Sequence, residues 1–80
     1  MKKRLAVICI IVKDIESVPI INKLLSEYGN YIIGRMGLPH YKRKINIITV
    51  IIEAPLDVID TLKSKIENLE DINAKMEIIL

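Results

Sequence analysis

The chain lacks most of the residues that staple small proteins or equip them for chemistry. Cys9 is its only cysteine, so no internal disulfide can form, and an unpaired thiol fits a reducing, cytoplasmic setting. Phe and Trp are absent, which argues against an RNA-recognition sheet, because that surface stacks bases on exposed aromatics. One histidine, His40, and one cysteine fall short of the three or four ligands of a zinc-type centre. A metal could be held only by ligands shared between subunits, and no resident cofactor is expected. The net charge is only +2, too little to imply a nucleic-acid partner from composition. Long apolar runs are missing too: Leu5 to Val12 is far shorter than the roughly 18 residues of a membrane span. Lys13 and Asp14 follow it directly, with no small-residue cleavage pattern, so the run reads as a strand and not as a leader.

What is present is aliphatic. Of 80 residues, 51% are hydrophobic, with isoleucine prominent. The length sets one domain, residues 1–80, with no room for a second core. Such a chain buries roughly 60–65% of its unfolded surface, so dense packing or self-association must supply the remaining stability.

The pattern alternates between strand and helix periods. Arg4 to Lys13 is apolar at both parities: Leu5, Val7, Cys9 and Ile11 on one face, Ala6, Ile8, Ile10 and Val12 on the other. That is the signature of a central strand, with Cys9 expected as a small buried hydrophobe. Pro19 suits the first turn of a helix in which Ile21, Leu24, Leu25 and Tyr28 form one stripe. Gly29 is expected to close it as a left-handed cap. Tyr31 to Leu38 reads as a second strand interrupted by Gly34 and Gly37 and stopped by Pro39. Ile45 to Glu53 is a third, again apolar on both faces. Ala54-Pro55 opens a second helix, with Ile59, Leu62, Ile66 and Leu69 at steps of three and four. The last strand, Ile72 to Leu80, alternates cleanly and so reads as an edge.

The order βαββαβ predicts an α+β, ferredoxin-like, ACT-like domain: a four-stranded antiparallel sheet of order 4-1-3-2 with two helices on one face. The two strands apolar on both faces are those this topology places in the centre. The second sheet face is then aliphatic and uncovered, abnormal for a monomer. A homodimer or higher homo-oligomer is the expected partner.

The segment YGNYIIGRMGLP, the strand INIITVIIEAP and helix positions Ile59, Leu62, Lys65, Ile66 and Leu69 resemble a family of small ACT-like proteins described as iron-only hydrogenase system regulators. The resemblance runs from about Leu5 to Met76, and its most specific piece is Gly34-Arg35-Met36-Gly37 followed by Pro39. It implies an ACT fold, self-association and a regulatory or ligand-sensing role. Members usually carry glycines in the second helix, where this chain has Asp60, Ser64 and Asn68, and a glycine before the third strand, where it has Lys44. Amino-acid-binding ACT domains also typically place a glycine after the first strand, whereas Lys13 to Ser17 has none.

No catalytic constellation is visible. His40 is the only base near neutral pH and falls in a turn, so no catalytic residue is assigned and no enzyme is expected. Asp57, Asp60, Glu67 and Glu70 read as a solvated helix face. The candidate ligand site comprises Gly34, Arg35, Met36, Gly37 and Pro39, with Lys13 and Asp14 from the loop after the first strand. Arg35 is the natural anion anchor, and the glycines with Pro39 are expected to bend the strand away from the sheet. The alternative is nucleic-acid binding through Lys42, Arg43 and Lys44 of the basic hairpin.

Overall fold

The structure is a computed structural model and describes residues 2–80. Its elements are β1 (Lys3–Val12), a 3-10 turn (Ile15–Ser17), α1 (Val18–Glu27), β2 (Ile32–His40), β3 (Ile45–Pro55), α2 (Leu56–Glu67) and β4 (Ile72–Ile78). The strands form one sheet of order β2-β3-β1-β4, every neighbour antiparallel, with β1 and β3 central. This is the expected ferredoxin-like α+β arrangement.

The parity of each central strand decides which side chains meet the helices. Ala6, Ile8, Ile10 and Val12 of β1 and Ile48, Val50, Ile52 and Ala54 of β3 are buried under the helical layer. Ile21 and Leu25 of α1 and Ile59, Leu62 and Ile66 of α2 complete that core. No polar or charged side chain is buried among the described residues. Aliphatic shape therefore carries the folding free energy, at roughly 25 cal/mol per Å² of apolar surface removed from water. Over the top, the Lys65 ammonium lies 5.3 Å from the Tyr28 ring centre and ties α2 to the end of α1.

The opposite face carries the other parity: Leu5, Val7, Cys9 and Ile11 of β1, Ile45, Ile47, Thr49 and Ile51 of β3, and Met36 and Leu38 of β2. None of the described residues covers it. Cys9, expected to be buried, is exposed, because the strand pattern reveals two apolar faces but not that only one is roofed.

Three local expectations are corrected. The left-handed cap at Gly29 does not form, since no glycine has positive φ. The helix instead tightens through successive i→i+3 bonds, with the N–H groups of Tyr28, Gly29 and Tyr31 donating to the carbonyls of Leu25, Ser26 and Tyr28. Pro39 does not stop β2, which runs to His40. Proline is tolerated there because β2 is an edge and one ladder side faces solvent. The glycines do not bend β2 away either. A register shift lies between Ile32 and Gly34, after which Gly34, Gly37 and Pro39 stay paired with Ile51, Ile48 and Asn46. One extra residue, Ile33, absorbs the irregularity and is left 62% exposed. At the other helix, β3 continues through Pro55 and α2 begins at Leu56.

Among the described residues two non-glycine positions adopt left-handed backbone: Lys44 (φ 54°) at the end of the β2–β3 hairpin and Asp71 (φ 61°) before β4. Each closes a tight connection. The Lys44 N–H donates to the Tyr41 carbonyl at 3.2 Å, and the Asp71 carbonyl accepts from the Lys13 N–H at 2.8 Å.

Candidate functional site

The bulge in β2 determines how the candidate residues are distributed. Beyond it, Arg35, Gly37 and Pro39 pair with Val50, Ile48 and Asn46 and so share the helical side, while Gly34, Met36 and Leu38 pair with Ile51, Thr49 and Ile47 on the open side. The sequence motif is thus split between two faces. Only Arg35, Gly37 and Pro39 come together with the helical layer, and Lys13 and Asp14 join Pro39 at the end of the sheet.

A cleft of about 400 Å³ opens where β1 ends and β3 begins, within the usual range for a small-molecule site. Lys13, Asp14 and Ile15 form one wall, Pro39, His40, Tyr41 and Lys44 the other, and Ile45 and Asn46 the floor. Its apolar parts, Ile15 and Tyr41, are 72% and 83% exposed, a poor use of large side chains unless something rests on them. The wall is shaped by local hydrogen bonds. The Asp14 carboxylate accepts from the Glu16 N–H at 3.0 Å, and the Ser17 N–H returns to the Asp14 carbonyl at 2.9 Å. One oxygen of Asp14 is thereby engaged in capping the 3-10 turn, while the Lys13 and Lys44 side chains make no hydrogen bond or ion pair among the described residues. The cleft therefore sets two unpaired ammonium groups against the single carboxylate of Asp14, beside the apolar Ile15, Tyr41 and Ile45, an arrangement suited to a small anion with an apolar body.

A second cleft of about 260 Å³ adjoins it, lined by Val18, Asn22, Arg35, Gly37, Pro39, Asn46 and Ile48. Pro39 and Asn46 belong to both, so the two form one trough along the β2 side of the helical layer. At its far end the Arg35 guanidinium donates to the Asn22 side-chain oxygen of α1. A Cβ built on Gly37 meets nothing within 4 Å, so this glycine leaves space in the trough and is not there to relieve a clash.

Asn22 and Asn46 were not singled out from sequence, though Asn46 carries a legible signal. It occupies helix-side parity in a strand otherwise filled there by Ile48, Val50, Ile52 and Ala54, and its side chain finds no hydrogen-bond partner among the described residues. His40 ends β2 exposed, and the Arg43 N–H reaches its Nδ1 only at 3.4 Å. Lys42, Arg43 and Lys44 are exposed on the hairpin. Among the described residues no three His, Cys, Asp or Glu side chains gather as metal ligands, and no helix is long and apolar enough to cross a membrane.

Comparison with known proteins adds a family. The family model described as "TM1266-like: Iron-only hydrogenase system regulator, putative" matches residues 4–76. Among solved structures, that of the uncharacterized protein TM1266 from Thermotoga maritima is similar, with a TM-score of 0.93 and 25% sequence identity over 99% of this chain and 100% of that one. No curated protein matches the chain.

Proposed function

This chain belongs to the TM1266-like family, and on that premise we propose that it is a non-enzymatic, ACT-like regulatory module that senses a small anionic ligand and self-associates through its open sheet face. The observation that carries the sensing role is the cleft of about 400 Å³ between the loop after β1 and the basic hairpin. It joins exposed apolar walls to the free ammonium groups of Lys13 and Lys44, the composition of a binding site. A nucleophile beside a base is not found in it. The family description points to the control of an iron-only hydrogenase system, and unpaired Cys9 fits a reducing, cytoplasmic compartment.

A thermal-shift screen with carboxylic acids, amino acids and nucleotides tests the reading. A true ligand raises the melting temperature in proportion to the logarithm of its concentration, and Lys13→Glu, at an exposed position, abolishes the shift without altering the unliganded melt. A screen in which no anion shifts the melt, or in which Lys13→Glu leaves the response intact, overturns the site.

One observation favours a second reading. Tyr41 is 83% exposed beside Lys42, Arg43 and Lys44, the pairing of a ring with cations that single-stranded nucleic acid uses. Retardation of RNA or DNA at low salt, lost on replacing all three cations with alanine, would establish it; no retardation at low salt removes it.

A further inference from the structure

The open face is not uniformly apolar, and its pattern carries information about what covers it. Across β2, β3, β1 and β4 the cross-strand pairs make three central rows: Leu38–Ile47–Ile11–Asn73, Met36–Thr49–Cys9–Lys75 and Gly34–Ile51–Val7–Glu77. The first three positions of each row are apolar or small, and the fourth, on β4, is polar. The patch therefore lies over β2, β3 and β1, with a solvated strip along one side. Within it one side chain is missing. A Cβ on Gly34 meets nothing within 4 Å, and a gap of about 230 Å³ remains there, lined chiefly by Gly34, Met36, Thr49 and Ile51. On the same strand Leu38 protrudes, 53% exposed.

Resting on the self-association read above, we infer that this face is covered by a second copy of the chain, laid strand over like strand, with Leu38 of each copy seated in the gap left by Gly34 of the other. The symmetry follows from the rows. A two-fold axis lying between the sheets and running across the strands, through the Met36–Thr49–Cys9–Lys75 row, sets the Leu38 row against the Gly34 row. Protrusion then meets gap twice, Ile47 meets Ile51, and Ile11 meets Val7. An axis along the strands through the sheet centre sets Leu38 and Met36 on the polar strip of Asn73 and Lys75, and one along β3 sets Leu38 on Ile11 and Gly34 on Val7, so neither brings the protruding Leu38 to the gap at Gly34. Under the favoured axis the two polar strips meet at the solvated rim, where the like charges of Lys75 cost little. The whole face, four strands about 4.8 Å apart and about ten residues long, presents roughly 600 Å² in projection, of which the three-stranded apolar patch is roughly 450 Å², and side-chain relief adds to both. A standard interface takes about 800 Å² of accessible surface from each partner. Face-to-face sheets sit about 10 Å apart, so Cys9 of the two copies lie across the axis, shielded yet too distant to bridge.

Sedimentation equilibrium on wild type, Gly34→Leu, Leu38→Ala and the double variant tests this. Gly34 and Leu38 are roughly 13 Å apart along one strand and cannot touch within a chain, so coupling between them in dimer dissociation must cross the interface. The expectation is a wild-type dimer, at least tenfold weaker association for each single change, and a double variant no weaker than Leu38→Ala, a coupling of about tenfold. Maleimide labelling of Cys9 should be slow in the dimer and fast on dilution. Far-UV circular dichroism confirms folding, and Gly34→Ala, whose methyl has open space, replaces the leucine variant if that one unfolds. A wild type that stays monomeric at all concentrations overturns self-association and this seating with it. A wild-type dimer whose two changes act independently, or whose Cys9 labels freely, overturns the seating alone.

Discussion

Lys44→Gly should stabilise the protein, and the reason lies in one backbone angle. Lys44 has φ 54°, a left-handed conformation that costs a residue bearing Cβ about 1–2 kcal/mol and glycine almost nothing. The conformation is held by its N–H bond to the Tyr41 carbonyl, which closes the hairpin. Glycine loses about 0.5–1 kcal/mol more backbone entropy on folding, so the net gain is about 0.5–1 kcal/mol. For a domain this size that raises the melting temperature by about 2–8 °C. The assay is urea unfolding at fixed protein concentration, since self-association itself shifts apparent stability. Lys44→Ala is the control: it removes the same charge but keeps the strained φ, so it should gain nothing. Asp71→Gly should gain less than Lys44→Gly, because aspartate tolerates φ 61° better than lysine tolerates 54°. Equal shifts for Lys44→Gly and Lys44→Ala would refute the backbone argument and assign the effect to charge in the Lys42–Lys44 cluster.

Leu62→Ala should cost about 2–5 kcal/mol in urea unfolding, because Leu62 is fully buried between α2 and the sheet. That is a large share of the roughly 4–12 kcal/mol expected for a domain of this length. Asp14→Ala should cost about 1 kcal/mol by removing the acceptor for the Glu16 N–H, while Asp14→Asn keeps most of it; the same urea series checks both. Arg35→Ala should cost no more than about 1 kcal/mol, since its bond to Asn22 is exposed. Any larger loss in the ligand-induced melting shift would therefore report on the trough and not on the fold.

Lys13 and Asp14 lie beside Pro39 at the end of the sheet, with Arg35 and Gly37 next along the helical side, whereas the stretch Gly34 to Pro39, taken from sequence as one surface, is divided between two faces. Strand period would have separated alternate residues, but the extra residue at Ile33 sets which parity faces the helices, and a bulge has no reliable mark in composition. The expected left-handed glycine at position 29 failed for a related reason. A helix can close by i→i+3 bonds without it, and the left-handed positions went instead to Lys44 and Asp71, where connection length forced them. Cys9 looked buried because its neighbours are aliphatic, yet burial belongs to the face and not to the neighbours.

The sequence by itself determined element order, the central place of the two strands apolar at both parities, and the identity of the core stripes Ile21–Leu25 and Ile59–Leu62–Ile66. These follow from local hydrophobic period and the handedness of crossovers, both properties of short stretches of chain. Only the tertiary structure decided which parity of β1 and β3 is roofed by helices, how Pro39 and Asn46 join two clefts into a trough, and where Gly34 leaves a gap opposite nothing in its own chain. Those depend on register between distant segments, and a shift of one residue reverses every side chain in a strand.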